Sequence, residues 1–227
     1  MNMYDLLTGP LLWLTFAVTF LGLAWRVVWY LRGLDWRLDR VAYRPHFRFG
    51  MRGAVRSIFY WLLPFGSRSW RERPFFTVLF FAFHAGLLFT PVFLEAHNVM
   101  LSESLGIRLP GLPQGLADVL AWTAVVGGLF MALRRFAYPE VRILTTAYDY
   151  LLIVIATAPF VTGLVARYHL GDYAFWLPLH IASGEIWLLS LPFTKLNHVV
   201  MFFLSRGQLG MDYGIKRGGM KGTNLAW

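Results

Sequence analysis

The sequence predicts an all-α integral membrane protein, a bundle of five membrane-spanning helices. Three observations carry this. Of 227 residues, 57% are hydrophobic and only 15% charged, far from the usual mix of a water-soluble domain. Apolar runs near the ~20 residues needed to cross a ~30 Å hydrocarbon layer recur along the chain. Between alternate runs the positive charge collects on one side.

The first run covers about 6–28. Its leader, MNMYDLL, lacks the positive charge of a secretory signal and no small-residue cleavage site follows, so it reads as a helix. From Arg32 to Arg73 come ten arginines, among them Arg37, Arg40, Arg44, Arg48, Arg52 and Arg56, against Asp35, Asp39 and Glu72. Within that basic loop AVRSIFYWLLPF, 54–65, is apolar but too short to span, the pattern of an interfacial helix whose arginines suit anionic lipid or a partner subunit. The second run covers about 74–100. The irregular, proline- and glycine-rich ESLGIRLPGLPQG leads to the third, about 116–133. Arg134, Arg135 and Arg142 precede the fourth, about 149–166, and the fifth covers about 174–204. A glycine-rich, basic tail from Gly207 is expected to lie on the inner surface.

Counting basic residues across these loops places the amino terminus outside and the carboxyl terminus in the cytoplasm. Residues 1–227 then form a single membrane domain of the bacterial cytoplasmic membrane, with 205–227 as cytoplasmic tail. The net charge of +9 is accounted for by topology and membrane lipid, with no nucleic acid implied. Cysteine is absent, which removes disulfides, iron–sulfur ligation and thioether-linked haem.

Ionisable groups in lipid are costly and need a partner or a task. Four of the six histidines fall in the predicted spans: His84 and His97 on the second, His180 and His198 on the fifth. Eighteen residues are five whole turns, so on one uninterrupted helix His180 and His198 share a face about 27 Å apart. Antiparallel topology levels His84 with His198 and His97 with His180. Two stacked bis-histidine sites follow, one per leaflet, whose simplest occupants are two haem b groups. Thirteen residues separate His84 from His97, leaving them about 140° apart on an ideal helix. Pro91 lies between, so distortion is expected near Thr90 and Pro91. A zinc or copper site is disfavoured, since a histidine pair without cysteine or clustered carboxylate is a poor cage. His46 reads as a surface residue. A haem-free, histidine-dependent proton channel or transporter and a passive membrane anchor for a soluble redox enzyme are the competing readings.

FHAGLL, AHNV, the five spans and the fifth-span histidine spacing resemble the gamma subunit of respiratory nitrate reductase, a dihaem cytochrome b. PVFLEAHN is more similar to the cytochrome b subunits of transmembrane redox complexes of sulfate-reducing bacteria. The resemblance implies His84 with His198 as axial ligands of the inner haem and His97 with His180 of the outer. It further implies electron exchange with menaquinone, a cytoplasmic iron–sulfur subunit and a periplasmic multihaem cytochrome c as partners. It also favours a quinone site beside the outer haem, where Glu95, Asp118 and His169 are the candidates, with Tyr168 and Asp172 nearby. Glu185, well inside the fifth span, is either a neutral hydrogen-bonded group or part of a proton path.

Overall fold

A computed structural model describes residues 2–34 and 45–216. Arg37, Arg40, Arg44, Asp35, Asp39 and the tail beyond Lys216 lie outside the described residues. Among the described residues every regular element is helical. Five helical segments are long and apolar enough to cross a membrane: Met3–Gly33, Pro74–Phe93, Gln114–Ala137, Ala147–Arg167 and Tyr173–Phe193. Large apolar side chains stand exposed along them, with Leu129 60% and Val154 60% accessible. In water such surface would be an aggregation liability; in lipid it is the outer coat of the fold.

The elements in chain order are α1 (Met3–Leu6), a π-turn over Leu7–Leu11, α2 (Leu12–Gly33), α3 (Phe47–Leu62), α4 (Arg68–Glu72) and α5 (Pro74–Phe93). They continue as α6 (Glu95–Leu105), α7 (Gln114–Ala137), α8 (Pro139–Arg142), α9 (Ala147–Arg167), α10 (Tyr173–Phe193), a 3₁₀ turn over Lys195–Asn197, and α11 (His198–Lys216). The π-turn holds Pro10 and a non-helical Gly9, a usual cause of a bulge in the hydrogen-bond ladder. The chain divides into two compact units, Met1–Leu14 with Val78–Leu188, and Thr15–Thr77 with Leu189–Trp227.

In the first unit, helices meet where small residues permit close approach. A Cβ on Gly86 would lie 2.3 Å from the Leu120 carbonyl oxygen, bringing α5 onto α7, and one on Gly127 would strike Phe83. Thr123 Oγ1 donates to the Ala82 carbonyl across the same pair at 3.0 Å. Ala121 and Ala124 of α7 pack with Phe160 and Leu164 of α9 as a buried cluster. Lipid supplies little hydrophobic force between helices, so such close packing and hydrogen bonding hold them together. The α9 start is set by a capping box in which Thr146 and Asp149 satisfy each other's backbone N–H groups.

In the second unit α3 lies along α11. Its buried face is Gly50, Gly53, Ala54 and Ser57, and a Cβ on Gly53 would stand 2.1 Å from the Gly210 carbonyl oxygen. Two backbones in contact require glycine on both sides. The Tyr30 hydroxyl donates to Gln208 Oε1 of α11, and Arg26 Nε donates to the Pro192 carbonyl at the end of α10 at 2.7 Å, tying α2 to both helices.

Three expectations change. The second run, read as one helix over 74–100, is broken at Leu94, whose ψ of 129° is extended. The distortion thus falls three residues after Pro91, at the end of α5, and the helix passes through the proline. The fifth run, read as one helix over 174–204, is interrupted at Thr194, where an extended backbone and Thr194 Oγ1 accepting the Leu196 N–H start a new turn. His180 and His198 therefore do not share one continuous helix. The glycine-rich stretch from Gly207 is helical to Lys216, and its Gly210 and Gly214 lie against the backbone of α3. The apolar segment expected over 54–65 is helical only to Leu62, as the second half of the longer α3, which begins at Phe47.

Candidate haem ligands and their surroundings

His97 and His180 belong to the first unit, on α6 and α10, and the structure brings their rings together. The ring centroids are 6.1 Å apart and the planes 11° from parallel. Each ring is fixed by its other nitrogen. His97 Nδ1–H donates to the Pro91 carbonyl at 2.8 Å, and His180 Nδ1–H donates to the Pro159 carbonyl at 2.8 Å. A carbonyl oxygen only accepts, so both imidazoles carry the proton on Nδ1 and keep the Nε2 lone pair for something else. Metal-bound histidines are prepared in this way.

The backbone explains why those carbonyls are available. Pro91 lies in the last turn of α5, where carbonyls lack intrahelical partners. One of them, Phe93, accepts the Leu112 N–H at 2.8 Å, and Pro91 takes His97. Gly163 of α9 makes the seat for His180, since a Cβ there would fall 2.9 Å from the imidazole Cε1. Ser183, one turn on from His180, is 3.2 Å from Thr162 Oγ1 and joins α10 to α9.

The spacing fits a bound metal. Two imidazoles on opposite faces of one iron, each about 2 Å from it through nitrogen and about 1.1 Å further to the ring centre, would place centroids about 6.2 Å apart. The observed centroid separation of 6.1 Å is close to that figure. Among the described residues no group of three or more His, Cys, Asp or Glu side chains forms a metal cage.

His84, in the first unit, has its Nδ1 2.8 Å from the Phe80 carbonyl and its ring 4.1 Å from that of Phe80. His198, in the second unit, opens α11 with Nδ1 2.9 Å from the Lys195 carbonyl. Both take the same tautomer as the other pair, each within its own unit. His46 is exposed at the start of α3.

The quinone candidates have structural partners. Glu95 pairs with Arg108 at 2.8 Å and lies against Gly111, tying α6 to the loop that follows it. Asp118 accepts from Gln114 at 2.8 Å and stands 3.6 Å from Arg167. His169 lies two residues beyond α9 with a left-handed φ of 51°, its ring 5.1 Å from Tyr173. Tyr168 closes the α9 end by returning its N–H to Leu164, while the Asp172 side chain accepts the Ala174 N–H at the head of α10. Glu185 is 5% exposed and its Oε1 has no hydrogen-bond partner.

Sequence reasoning missed Asn98. It is 0% exposed, directly follows His97, and neither its amide nitrogen nor its amide oxygen has a partner. Its polarity inside an apolar run was the available signal. It also missed Gly163, which no local pattern distinguishes from a packing glycine.

A protein of Nitratidesulfovibrio vulgaris (strain Hildenborough), whose name states no function, is 58% identical over 226 residues, covering 99% of this chain and all of its own length. The chain belongs to the family of that protein. No family model matches it and no solved structure does.

Proposed function

We propose that the chain is a dihaem b-type cytochrome, the membrane subunit of a respiratory redox complex of the bacterial cytoplasmic membrane. It would carry electrons between menaquinone and iron–sulfur or multihaem cytochrome partner subunits. The observation that carries this is the His97–His180 pair, parallel and 6.1 Å apart, with both Nδ1 protons committed to proline carbonyls. A proton relay would favour imidazoles in hydrogen-bonded series; this spacing favours an occupant between them. Bound haem would supply one-electron chemistry that no side chain here provides.

The residues have separable tasks on this reading. His97 and His180 present Nε2 at a fixed angle, Gly163 leaves the His180 ring its place, and the surrounding apolar helices exclude water. His84 and His198, preset in the same tautomer, are the ligands the sequence assigns to the second haem. The arginines of α3 and of the loop before it would face the cytoplasm, with α3 at the interface, following the positive-inside rule. Glu95, Asp118 and His169 remain the proposed contacts for quinone, near the surface where protons can be exchanged.

Purified full-length chain should show the sharp reduced alpha band of bis-histidine haem and two haems by pyridine haemochrome. His180→Ala should remove one of the two. Absence of the band from chain expressed with ample haem, or an unchanged count after His97 and His180 are both replaced, would sink the reading.

A further inference from the structure

In membrane helices glycine ordinarily serves close approach between neighbours, and four glycines of the first unit do so. A Cβ on Gly86 would strike the Leu120 carbonyl, one on Gly127 the Phe83 side chain, one on Gly128 that of Thr157, and one on Gly163 the His180 ring. Gly184 of α10 is different. A Cβ built there would meet nothing within 4 Å beyond its own helix backbone. With no neighbour to admit, a glycine inside a helix is a cost relative to alanine, through the chain entropy it forfeits on folding.

The open side of Gly184 is not the lipid side. Measured round α10 from His180, Phe175, Leu179 and Ile186 fall at about 220°, 260° and 240°. They are 59%, 38% and 56% exposed, which marks the outward edge of the helix. Gly184, four residues on from His180, lies about 40° from it and about 6 Å along the axis, opposite that edge. Nor does α9 cover this flank. Ser183 and Trp187 lie about 60° and 20° to the other side of His180, where they meet Thr162 and Phe160 of α9. His180 itself meets the parallel ring of His97 on α6, so Gly184 stands one turn along the helix from a member of that pair.

We propose that Gly184 seats the face of the haem held by His97 and His180, on the flank of α10 turned away from α9 and from lipid. A flat macrocycle centred between two imidazole nitrogens spreads along the helices that carry them. A residue one turn from a ligand then lies beside its face, where a side chain would press on it. Gly184 is a positioning residue: it binds no iron and acts by leaving the ring its place. This role rests on the cytochrome reading and adds to it a residue that neither coordinates nor packs against protein.

The test is a haem count by pyridine haemochrome on purified full-length chain, with helicity and the EPR signals of the oxidised haems recorded on the same samples. Gly184→Leu should lose one of the two haems, and Gly184→Ala should keep both while shifting the g-value of one. Because the added Cβ meets no neighbouring atom, helicity should match that of the unsubstituted chain. Gly115→Leu, at an exposed glycine of α7 whose Cβ likewise meets nothing, should keep both haems with unchanged signals. In a His198→Ala chain, which retains the His97–His180 haem alone, Gly184→Leu should leave none. Two haems with unchanged signals in both Gly184 variants would overturn the seat and leave the cytochrome reading standing. So would a further haem lost when Gly184→Leu is added to His97→Ala, since the effect would then lie at the other pair. If Gly184→Leu does not insert, the g-values of Gly184→Ala decide. An unsubstituted chain that holds no haem when expressed with ample haem would overturn both.

Discussion

At the scale of single residues, the informative feature is how four imidazoles are oriented by main-chain oxygen. Each has Nδ1 within 2.9 Å of a backbone carbonyl, an arrangement set by the fold before anything binds. Gly163 provides a sharper probe of the proposed haem site than the histidines themselves. Gly163→Ala would put a methyl group 2.9 Å from the His180 ring, and the ring is held by one hydrogen bond that can yield. The expected cost is about 1–3 kcal/mol of overpacking, seen as a shifted or halved alpha band in a chain that still inserts and keeps its helicity. An unchanged spectrum would show that the ring has space elsewhere. Asn98 gives a second probe: with no partner for either amide atom, Asn98→Leu should leave stability within about 1 kcal/mol, or raise it, because a lone buried polar group is costly. A marked loss would mean that the amide does bond in the assembled protein.

At the scale of elements, the histidines and the runs were legible and the breaks were not. Charge in lipid is expensive whatever the packing, so His84, His97, His180 and His198 could be singled out from composition alone. Where the second run breaks depends on a distant residue. Pro91 removes one N–H but α5 continues to Phe93, and the turn comes at Leu94, where the Leu112 N–H claims the Phe93 carbonyl; nothing in residues 83–99 encodes that. The second break did leave a mark, since a threonine after LPF is a usual helix start, but the apolar run masks it. Pro91→Ala should accordingly keep the full haem count, whereas Leu112→Pro, which deletes the N–H, should lower it; pyridine haemochrome on both decides. The α3–α11 contact is stricter. Gly53→Leu would drive a side chain into the Gly210 backbone 2.1 Å from its Cβ, and backbone cannot rotate aside. The pair should separate, with melting lowered beyond what surface substitutions on α3 produce.

For the molecule as a whole, five apolar helices with exposed outer faces make a multi-pass membrane chain, and the arrangement of its arginines gives the orientation to test. An alkaline phosphatase fused after Ile107 should be active and one fused after Ile143 inactive, as the positive-inside rule requires; the reverse would invert every assignment of side. The pairing of His97 with His180 has a consequence for assembly. They come from helices far apart in sequence, α6 and α10, so a group that bridges them closes a long chain loop and favours the native state by mass action as well. With haem as the proposed bridging group, cells starved of it should hold less of this protein at unchanged synthesis, its unbridged form being cleared by membrane proteases, and pulse-chase turnover would register the difference.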